Sequence, residues 1–529
     1  MILSADHPLR GLLRDIRTIS DRGVKVRQLL LPNAVLVLLE LASLYLLVRL
    51  MGSILSAAQG VPIDFNAALG VAGLLVLKSL LNGVLGKLIY RLYARNEGLL
   101  RESILGLARA APSSALRARS VETITHEINV YPSNMTYGVY QQVVKLFSDM
   151  AVALAIFLAL LIRNPSLTLV VVVLFGAMAM LIAKFTLRIS SSAGKVTETS
   201  TIQLVNTLAR YVGARNEIAS SRLDHVFQGE LGRINDALSK ARADISFAAQ
   251  IPRFAFDAVS AIGIVMLVGS VALGLARFDQ QDLSFGLAAG FKLAPYLSSI
   301  LGVFMQISFS KSVMRSYHLA AAAMVEPRVM NPSIRVTLSI TPVLELAVFR
   351  DGQLECTACS SGVLLIKGRS GSGKTTIAEL LADLAEGRVA SAVPPVAVPT
   401  SRRLLAFCSQ FPTVLNTTLQ ANVANDDAGD PLRSDELLTR YGLRHLGDVA
   451  ELNEATLSGG ERQRIGIVRT LSQKALLTIF DEPTASIGSL YTAVFKNDLL
   501  ALAREGTLVV VVSHDTLFDD IATSRIDLS

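Results

Sequence analysis

Cysteine is scarce in this 529-residue chain, and its scarcity limits the classes of protein to consider. The three cysteines, Cys356, Cys359 and Cys408, all lie in the final third, which excludes a disulfide framework and indicates a reducing compartment. Cys356 and Cys359 have the spacing of a zinc or redox pair, but no second pair and no nearby histidine accompany them. We interpret them as a chance pair on a strand, with a zinc or redox site as the alternative.

Charge is also sparse. Charged residues form 18% of the chain, whereas hydrophobic residues form 51% and the mean hydropathy is +0.48. A soluble enzyme of this length is less apolar, so part of the chain is expected to be solvated by lipid. The apolar runs, such as 151–162 and 167–182, lie upstream, while the last third has ordinary polar spacing. The sequence therefore predicts at least two domains in different solvents.

Six upstream segments reach the length of about 20 mainly apolar residues that crosses a bilayer. They are residues 31–51, 67–90, 139–162, 166–187, 254–276 and 283–308. The first run is long, starts late and is not followed by a clean small-residue cleavage pattern, which argues against a removable signal peptide. We predict an all-α transmembrane bundle of six helices over residues 31–325, preceded by a cytoplasmic N-terminal segment, 1–30.

Basic residues flank these spans unevenly. The segment before the first span carries six Lys and Arg, whereas residues 52–66 carry none, which indicates a cytoplasmic N-terminus. The long connections at 87–119 and 184–253 are also basic, so we place them and the C-terminal domain in the cytoplasm. Anionic lipid explains the net charge of +7 better than nucleic acid, and no nucleic-acid partner is expected. We expect a multi-pass protein of a bacterial cytoplasmic (inner) membrane.

Polar positions in the membrane half lead to two further predictions. The long connections are interrupted by apolar residues at three- and four-residue steps, so we predict helices that extend the spans into the cytoplasm. Their tips are predicted to touch the C-terminal domain, with simple amphipathic bundle helices as the alternative. Within the spans, Glu40, Lys78 and Lys292 require partners or a watery cavity, because charges are costly there. Glu40 and Lys78 are predicted to pair, with a direct role in substrate binding as the alternative.

A different domain follows residues 326–342, where Pro327, Pro332 and Pro342 indicate a linker. Short strand-like segments in the domain, 343–529, precede a full match to G-x-x-x-x-G-K-[ST]. The match and the residue after it are Gly368, Arg369, Ser370, Gly371, Ser372, Gly373, Lys374, Thr375 and Thr376. Such a loop cradles phosphates with backbone N–H groups at a helix N-terminus, which predicts an α/β nucleotide-binding domain that uses ATP and Mg²⁺.

Three residues of this loop receive separate roles. Lys374 is predicted to bridge the terminal phosphates, and Thr375 to ligate magnesium through its hydroxyl. Thr376 is expected to make a backbone or phosphate contact.

Two later apolar runs end in groups that suit phosphoryl transfer. Residues 476–480 predict a buried parallel strand that delivers Asp481 and Glu482 to the sheet edge where ligands bind. Asp481 is expected to hold magnesium, directly or through water, and Glu482 to polarise the attacking water. The alternative is a solvated acidic turn. His514 follows the strand 507–512 and is a candidate contact of the γ-phosphate, with a capping or core role as the alternative.

A motif between these elements resembles a known family. Residues 457–464, Leu-Ser-Gly-Gly-Glu-Arg-Gln-Arg, are similar to the signature motif of ABC transporter ATPases, and the order of the motifs is the family's order. With six upstream spans, the resemblance implies an exporter-type half-transporter. It also implies two ATP molecules sandwiched between two subunits, with the signature acting in trans. The signature residues carried over are Leu457, Ser458, Gly459, Gly460 and Glu461.

The same resemblance assigns further positions. Gln410 lies where the family has its Q-loop glutamine, which implies a magnesium contact and a catalytic role. Residues 111–120 and 212–217 look like coupling helices that dock beside that loop, and 214–218 is the better match. Gly488 stands where the family has the D-loop aspartate, so communication between the two ATP sites is expected to differ. Phe349 is a weak candidate for stacking on adenine.

These predictions combine into one functional hypothesis. The chain is expected to export or flip a substrate by alternating access, powered by ATP hydrolysis. Its partner is expected to be a second copy of itself, with a related half-transporter as the alternative, besides membrane lipids and the transported substrate. An ATP-gated channel or regulatory membrane ATPase is the alternative function, which an intact Glu482 disfavours. Lipid-linked, peptide and small amphipathic substrates all stay open.

Overall fold

A computed structural model describes most of the chain in two compact units. The described residues are 31–43, 45–46, 65–221, 223–272, 280–325, 334–340, 344–350, 353–359, 361–369, 371–388, 403–423, 431–449, 451–473, 475–484 and 486–528. The first unit comprises residues 1–109 and 119–322, and the second comprises residues 110–118 and 323–529. The short segment 110–118 therefore belongs to the second unit although its neighbours in sequence belong to the first.

The described secondary-structure elements of the first unit are all helices. Its helices are α1 (Leu31–Ser43), α2 (Phe65–Ala110), α4 (Val121–Ser133), α5 (Gln141–Arg163), α6 (Pro165–Gly213), α7 (Arg215–Ser220), α8 (Asp224–Ala272) and α9 (Gln280–Val325), while α3 (Ser113–Arg117) lies in the second unit. Within the described residues, five helical stretches are long and apolar enough to cross a membrane, and α1 is a shorter apolar helix inside the predicted first span. The helices α6 and α8 each have 49 residues.

These lengths confirm that the helices continue past the predicted spans. A helix of 49 residues is about 74 Å long, whereas the hydrocarbon core of a bilayer is about 30 Å thick. The α4 helix contains Pro132, which lacks a backbone N–H, and the chain then widens into a π-helix over Asn134–Tyr140 before α5 begins. The helices pack closely, since a Cβ atom added at Gly194 would lie 2.1 Å from the carbonyl oxygen of Phe309.

The second unit contains two sheets. Strands β1 (Ile334–Ile340), β2 (Leu344–Arg350) and β3 (Gln353–Cys359) form an antiparallel sheet in that order. Strands β4 (Val363–Lys367), β5 (Arg403–Cys408), β6 (Ala475–Asp481), β7 (Leu508–Val512) and β8 (Ser524–Asp527) form a parallel sheet in the order β5-β6-β7-β4-β8. The helices are α10 (Lys374–Ala385), α11 (Leu419–Val423), α12 (Pro431–Arg440), α13 (Gly459–Leu471) and α14 (Ser489–Arg504), with 3-10 turns at Arg444–Asp448 and Glu454–Thr456.

Strand β1 corrects one sequence prediction. Residues 334–340 lie within the range 326–342 that we predicted as a linker, yet they pair with β2 from Ile334 opposite Arg350 to Ile340 opposite Leu344. The segment alternates apolar and polar residues, which is typical of a strand with one buried face. The flanking prolines obscured this short pattern. The remaining positions of the predicted linker, 326–333 and 341–342, lie outside the described residues.

Candidate active site

The phosphate loop joins β4 to the start of α10. Lys374 is 5% exposed, and its Nζ donates to the carbonyl oxygens of Gly368 at 2.8 Å and Arg369 at 3.1 Å. Gly371 and Gly373 have φ angles of +84° and +92°, which glycine adopts without strain. The loop therefore curves so that the N-terminus of α10 and the lysine ammonium face the same space.

One hydroxyl in the loop indicates what that space is suited to bind. The Oγ of Ser372 is buried and lacks a hydrogen-bond partner among the described residues. A buried hydroxyl without a partner is costly, and a phosphate oxygen satisfies it. Together with the ammonium group of Lys374, the unpaired hydroxyl of Ser372 fits the phosphates of a nucleoside triphosphate. Ser370 lies outside the described residues, and the partly buried Thr376 follows Thr375 in the first turn of α10.

The magnesium ligands predicted from sequence lie next to each other. Thr375 Oγ1 is 3.4 Å from Oδ1 of Asp481, which is 2% exposed at the end of β6. Burial raises the pKa of Asp481 above its usual value, and the hydrogen bond from Thr375 opposes that rise. A carboxylate and a hydroxyl are the oxygen ligands that Mg²⁺ prefers, so these two residues fit the ion.

Glu482 is the centre of the site. Its Oε2 accepts a hydrogen bond from Nε2 of Gln410 at 2.7 Å, while its Oε1 lies 3.6 Å from Nδ1 of His514 and 4.0 Å from Nζ of Lys374. These side chains follow β5, β6, β7 and β4, whose carboxyl ends meet at one edge of the parallel sheet. The structure therefore brings Gln410, Glu482 and His514 together beside the phosphate loop, while their catalytic roles stay predictions. His514 also lies 3.4 Å from Asp515, a neighbour the sequence analysis did not single out.

The backbone of Glu482 is strained. Its φ of +44° is unusual for a residue with a side chain, and its N–H donates to the carbonyl oxygen of Val512 at 2.9 Å. Such strain costs about 1–3 kcal/mol and persists only where the surrounding structure imposes it. Here the β6–β7 pairing holds the turn, which directs the carboxylate toward Gln410 and Lys374.

The signature segment opens helix α13. Ser458 is the N-cap: its Oγ accepts from the N–H of Glu461 at 3.2 Å, and Glu461 Oε2 accepts from the N–H of Ser458 at 2.9 Å. The bonds from Ser458 are the main reason that the pKa of Glu461 falls to about 2. A Cβ atom added at Gly460 would lie 2.8 Å from the carbonyl oxygen of Ser486. Leu457 is buried, whereas Ser458 and Gly459 are exposed at the helix N-terminus.

Two further positions named from the sequence are Gly488 and Phe349. Gly488 has a φ of +79° and a ψ of 156° at the N-cap of α14, a conformation essentially restricted to glycine. Glycine in place of the family's aspartate therefore matches the backbone of this turn. Phe349 lies in β2, but its side chain is outside the described set, so adenine stacking stays a prediction.

Sequence reasoning missed a contact of the segment 110–118. The Ser113 N–H and Oγ donate to the two carboxylate oxygens of Asp383 at 2.8 and 2.9 Å, and Arg117 forms an ion pair with Glu379. Both acidic residues lie on α10, the helix that follows the phosphate loop. The described polar contacts of α3 are with α10, and docking beside the loop of Gln410 stays a prediction. No local sequence pattern signals a pairing 270 residues apart.

The charges predicted to pair inside the membrane half do so. Glu40 is 8% exposed and forms an ion pair with Lys78, as predicted. Lys292 joins them, with its Nζ 3.2 Å from Oε1 of Glu40. One carboxylate on α1 is therefore shared by lysines on α2 and α9.

Comparison with known proteins identifies the family. Residues 353–485 match the model of the ABC transporter family. The chain is 34% identical over 193 residues to the lipoprotein-releasing system ATP-binding protein LolD of Alcanivorax borkumensis, a match that covers 33% of this chain and 82% of that protein. This chain belongs to the ABC transporter family.

Two longer similarities extend over most of this ABC transporter. It is 24% identical over 448 residues to an ATP-dependent lipid A-core flippase of Polaromonas, covering 79% of this chain and 75% of the flippase. Its fold matches a bacterial Atm1-family ABC exporter with ATP bound, with a TM-score of 0.72, 17% identity and coverage of 95% and 94% of the two chains. The chain therefore has the fold of such an exporter, and as an ABC transporter it couples ATP hydrolysis to transport.

Proposed function

We propose that this ABC transporter is one half of a homodimeric exporter or flippase that works by alternating access. The observation that supports it best is Glu482, whose carboxylate contacts Gln410 and lies within 4.0 Å of both Lys374 and His514. A transporter that only senses ATP has no need of a strained carboxylate aimed at its phosphate loop. The intact catalytic group therefore favours repeated hydrolysis, which drives net movement of a substrate.

Hydrolysis is assigned to residues of this chain. Lys374 exchanges its contacts with the carbonyls of Gly368 and Arg369 for the terminal phosphates, and Thr375 and Asp481 would hold magnesium. The ion supplies charge neutralisation at the phosphates when it is bound. Glu482 orients and polarises the attacking water, with Gln410 steering its carboxylate, and His514 contacts the γ-phosphate.

A second copy of the chain completes each site in this proposal. Ser458 and Gly459 are exposed at the N-terminus of α13, where free N–H groups and the positive helix end attract a phosphate. Each subunit carries both a phosphate loop and a signature, which favours two equal sites in a homodimer. ATP then holds the two nucleotide-binding domains together, and its hydrolysis releases them.

Mixed cysteine variants test the dimer. All copies lack the native cysteines and carry Glu482→Gln, so that ATP binds without being hydrolysed. Copies with Ser370→Cys are then mixed with differently tagged copies that carry Ser458→Cys, in the presence of ATP. Cross-linked heteromers should form only between the two kinds of copy and only with nucleotide. A pattern independent of ATP, or cross-links within single copies alone, would contradict the trans arrangement.

The direction and cargo are further parts of the proposal. We place the nucleotide-binding domain in the cytoplasm of a bacterium, at its inner membrane, because basic residues crowd the long connections. The resemblance to a lipid A-core flippase favours an amphipathic cargo. Sealed vesicles should show uphill, ATP-dependent movement of such a cargo that disappears with Glu482→Gln. Movement that only dissipates a gradient, whether or not ATP is hydrolysed, would support a gated channel instead.

A further inference from the structure

Three side chains of the second unit form a stack of two aromatic rings and one cation. The rings of Tyr441, just after α12, and Tyr491, in the first turn of α14, are 6.2 Å apart and 14° from parallel. The guanidinium carbon of Arg464, on α13, lies 4.7 Å from the centre of the Tyr491 ring. A guanidinium is attracted to the face of an aromatic ring, so the stack connects α13 with the start of α14.

The neighbours of Tyr491 are themselves held in place. The hydroxyl of Tyr441 donates to Oδ2 of Asp498 at 2.9 Å, and Tyr441 is fully buried. Gly442 has a φ of +65°, and a Cβ atom added there would overlap the hydroxyl of Tyr491. The ring of Tyr491 therefore packs against a buried side chain and directly against the backbone, which leaves it little room to move.

Arg464 extends this stack to the start of the signature helix. It lies one turn after Gly460, and its Nη1 would be 3.2 Å from a Cβ atom added at that glycine. The same Cβ atom would lie 2.8 Å from the carbonyl oxygen of Ser486, in the turn between β6 and α14. The guanidinium, the first turn of α13 and the turn after β6 therefore meet at Gly460.

One donor of this guanidinium has no polar partner. The Nε of Arg464 is buried, and no described residue accepts a hydrogen bond from it. An unpaired buried donor is costly, so the attraction of the Tyr491 ring carries more weight in keeping the side chain where it lies. Without that ring, we expect the guanidinium to leave the first turn of α13 and turn toward water.

We propose that Arg464 and Tyr491 are positioning residues for ATP hydrolysis. They hold the N-terminus of α13 against the turn after β6, which orients the free N–H groups of the helix toward the ATP of a second copy. The inference rests on the proposed function, because the signature acts on a partner's nucleotide. A helix N-terminus stabilises a phosphate only when its N–H groups point at it, so a small shift of the helix start weakens the contact.

Cross-linking between mixed copies isolates one ATP site. All copies lack the native cysteines and carry Glu482→Gln. One kind carries Ser370→Cys, and the other, differently tagged, carries Ser458→Cys together with Lys374→Ala. Because Lys374→Ala disables the phosphate loop of the second kind, ATP can join only the loop of the first kind to the signature of the second. The ATP concentration that gives half-maximal cross-linking is then measured.

The placement of one substitution decides between positioning and general damage. Tyr491→Leu in the copy with Ser458→Cys should raise the half-maximal ATP concentration about tenfold, as expected for the loss of one partly buried cation–π contact. In the copy with Ser370→Cys it should leave that concentration unchanged, because the signature of that copy faces a loop without ATP. An equal effect from both placements, or no effect from either, would overturn the proposal.

Matched variants separate the ring and the charge from the rest of the side chains. Tyr491→Phe keeps the ring and should cross-link like the reference pair, whereas Arg464→Met keeps the apolar stem without the charge and should behave like Tyr491→Leu. Arg504→Gln removes a charge from the exposed end of α14 and should change nothing. If Tyr491→Leu does not fold, Arg464→Met decides. Tyr491→Phe as impaired as Arg464→Met would refute the role of the ring.

Two further measurements separate the possible failures. The affinity for ADP, which lacks the γ-phosphate that the signature is proposed to contact, should be the same in Tyr491→Leu as in wild type. A weaker affinity would place the effect in the phosphate loop of the same copy and contradict the proposal. A reference pair that forms no ATP-dependent cross-link contradicts the trans arrangement, and the inference fails with it. A reference pair that responds to ATP while Arg464→Met has no effect overturns the inference alone.

Discussion

We expect the hydrogen bonds between Ser113 and Asp383 to hold the segment 110–118 against helix α10. Asp383 is 3% exposed and accepts from the N–H and the Oγ of Ser113 at 2.8 and 2.9 Å. A hydrogen bond to a charged group contributes about 1.5–3 kcal/mol. Asp383→Ala removes both acceptors, so the Ser113 N–H should open to solvent far more often.

The expected change in the exchange rate follows from the loss of one hydrogen bond, from the Ser113 N–H to Asp383. The amide of Ser113 loses about 1.5–3 kcal/mol of protection, and since 1.4 kcal/mol corresponds to a tenfold change, its exchange should accelerate about 10- to 100-fold. Ser113→Ala keeps the N–H bond to Asp383 and should give a smaller acceleration. Hydrogen–deuterium exchange of a peptide covering residues 110–118, read by mass spectrometry, measures both effects.

A carboxylate beside the same helix serves as the control. Glu386 follows α10 and is exposed, and Glu386→Gln should leave exchange of the 110–118 peptide unchanged. Exchange of the α10 peptide should also stay near its wild-type rate in all variants, which shows that the domain is folded. If Asp383→Ala leaves the 110–118 peptide as protected as in wild type, the hydrogen bonds do not hold α3 and the reasoning fails.

Three further predictions concern the nucleotide-binding unit. Gly488→Ala should lower its thermal midpoint, because φ of +79° with ψ of 156° strains any side chain; an unchanged midpoint would show that the turn relaxes. Burial raises the pKa of the Cys408 thiol to about 12. In a variant whose Cys356 and Cys359 are replaced by serine, iodoacetamide at neutral pH should therefore label Cys408 only after denaturation. Labelling of the native protein would contradict its burial. The folded-state pKa of Glu461 is depressed from 4.5 to about 2, so the stability that Glu461 contributes to the folded unit is present above pH 4.5 and lost as pH falls toward 2. In urea unfolding measured across this pH range, Glu461→Gln should abolish that part of the loss of stability. An unaltered pH dependence would contradict the prediction.

Features that depend on short-range chemistry could be predicted from the sequence. Gly371, Gly373 and Lys374 form a phosphate loop because the strand, the turn and the helix are contiguous in the chain. Asp481 and Glu482 were predictable since carboxyl ends of parallel strands meet at one edge. Ser458 and Glu461, three residues apart, form a capping box that predicts the start of a helix. The apolar runs likewise predict membrane spans, because span length follows from bilayer thickness.

Contacts between distant elements could not be predicted from the sequence and are seen only in the folded protein. The pairing of Ser113 with Asp383 spans 270 residues, and that of Lys292 with Glu40 spans 252, so no local pattern specifies either. Which of several lysines shares a carboxylate depends on how helices pack, and packing depends on the sum of many side-chain contacts. The strand at 334–340 is a milder case, since its alternation is visible but too short to outweigh the prolines around it. Periodicity and motifs report what neighbouring residues do, whereas long-range pairing is settled by the free energy of the whole packed unit.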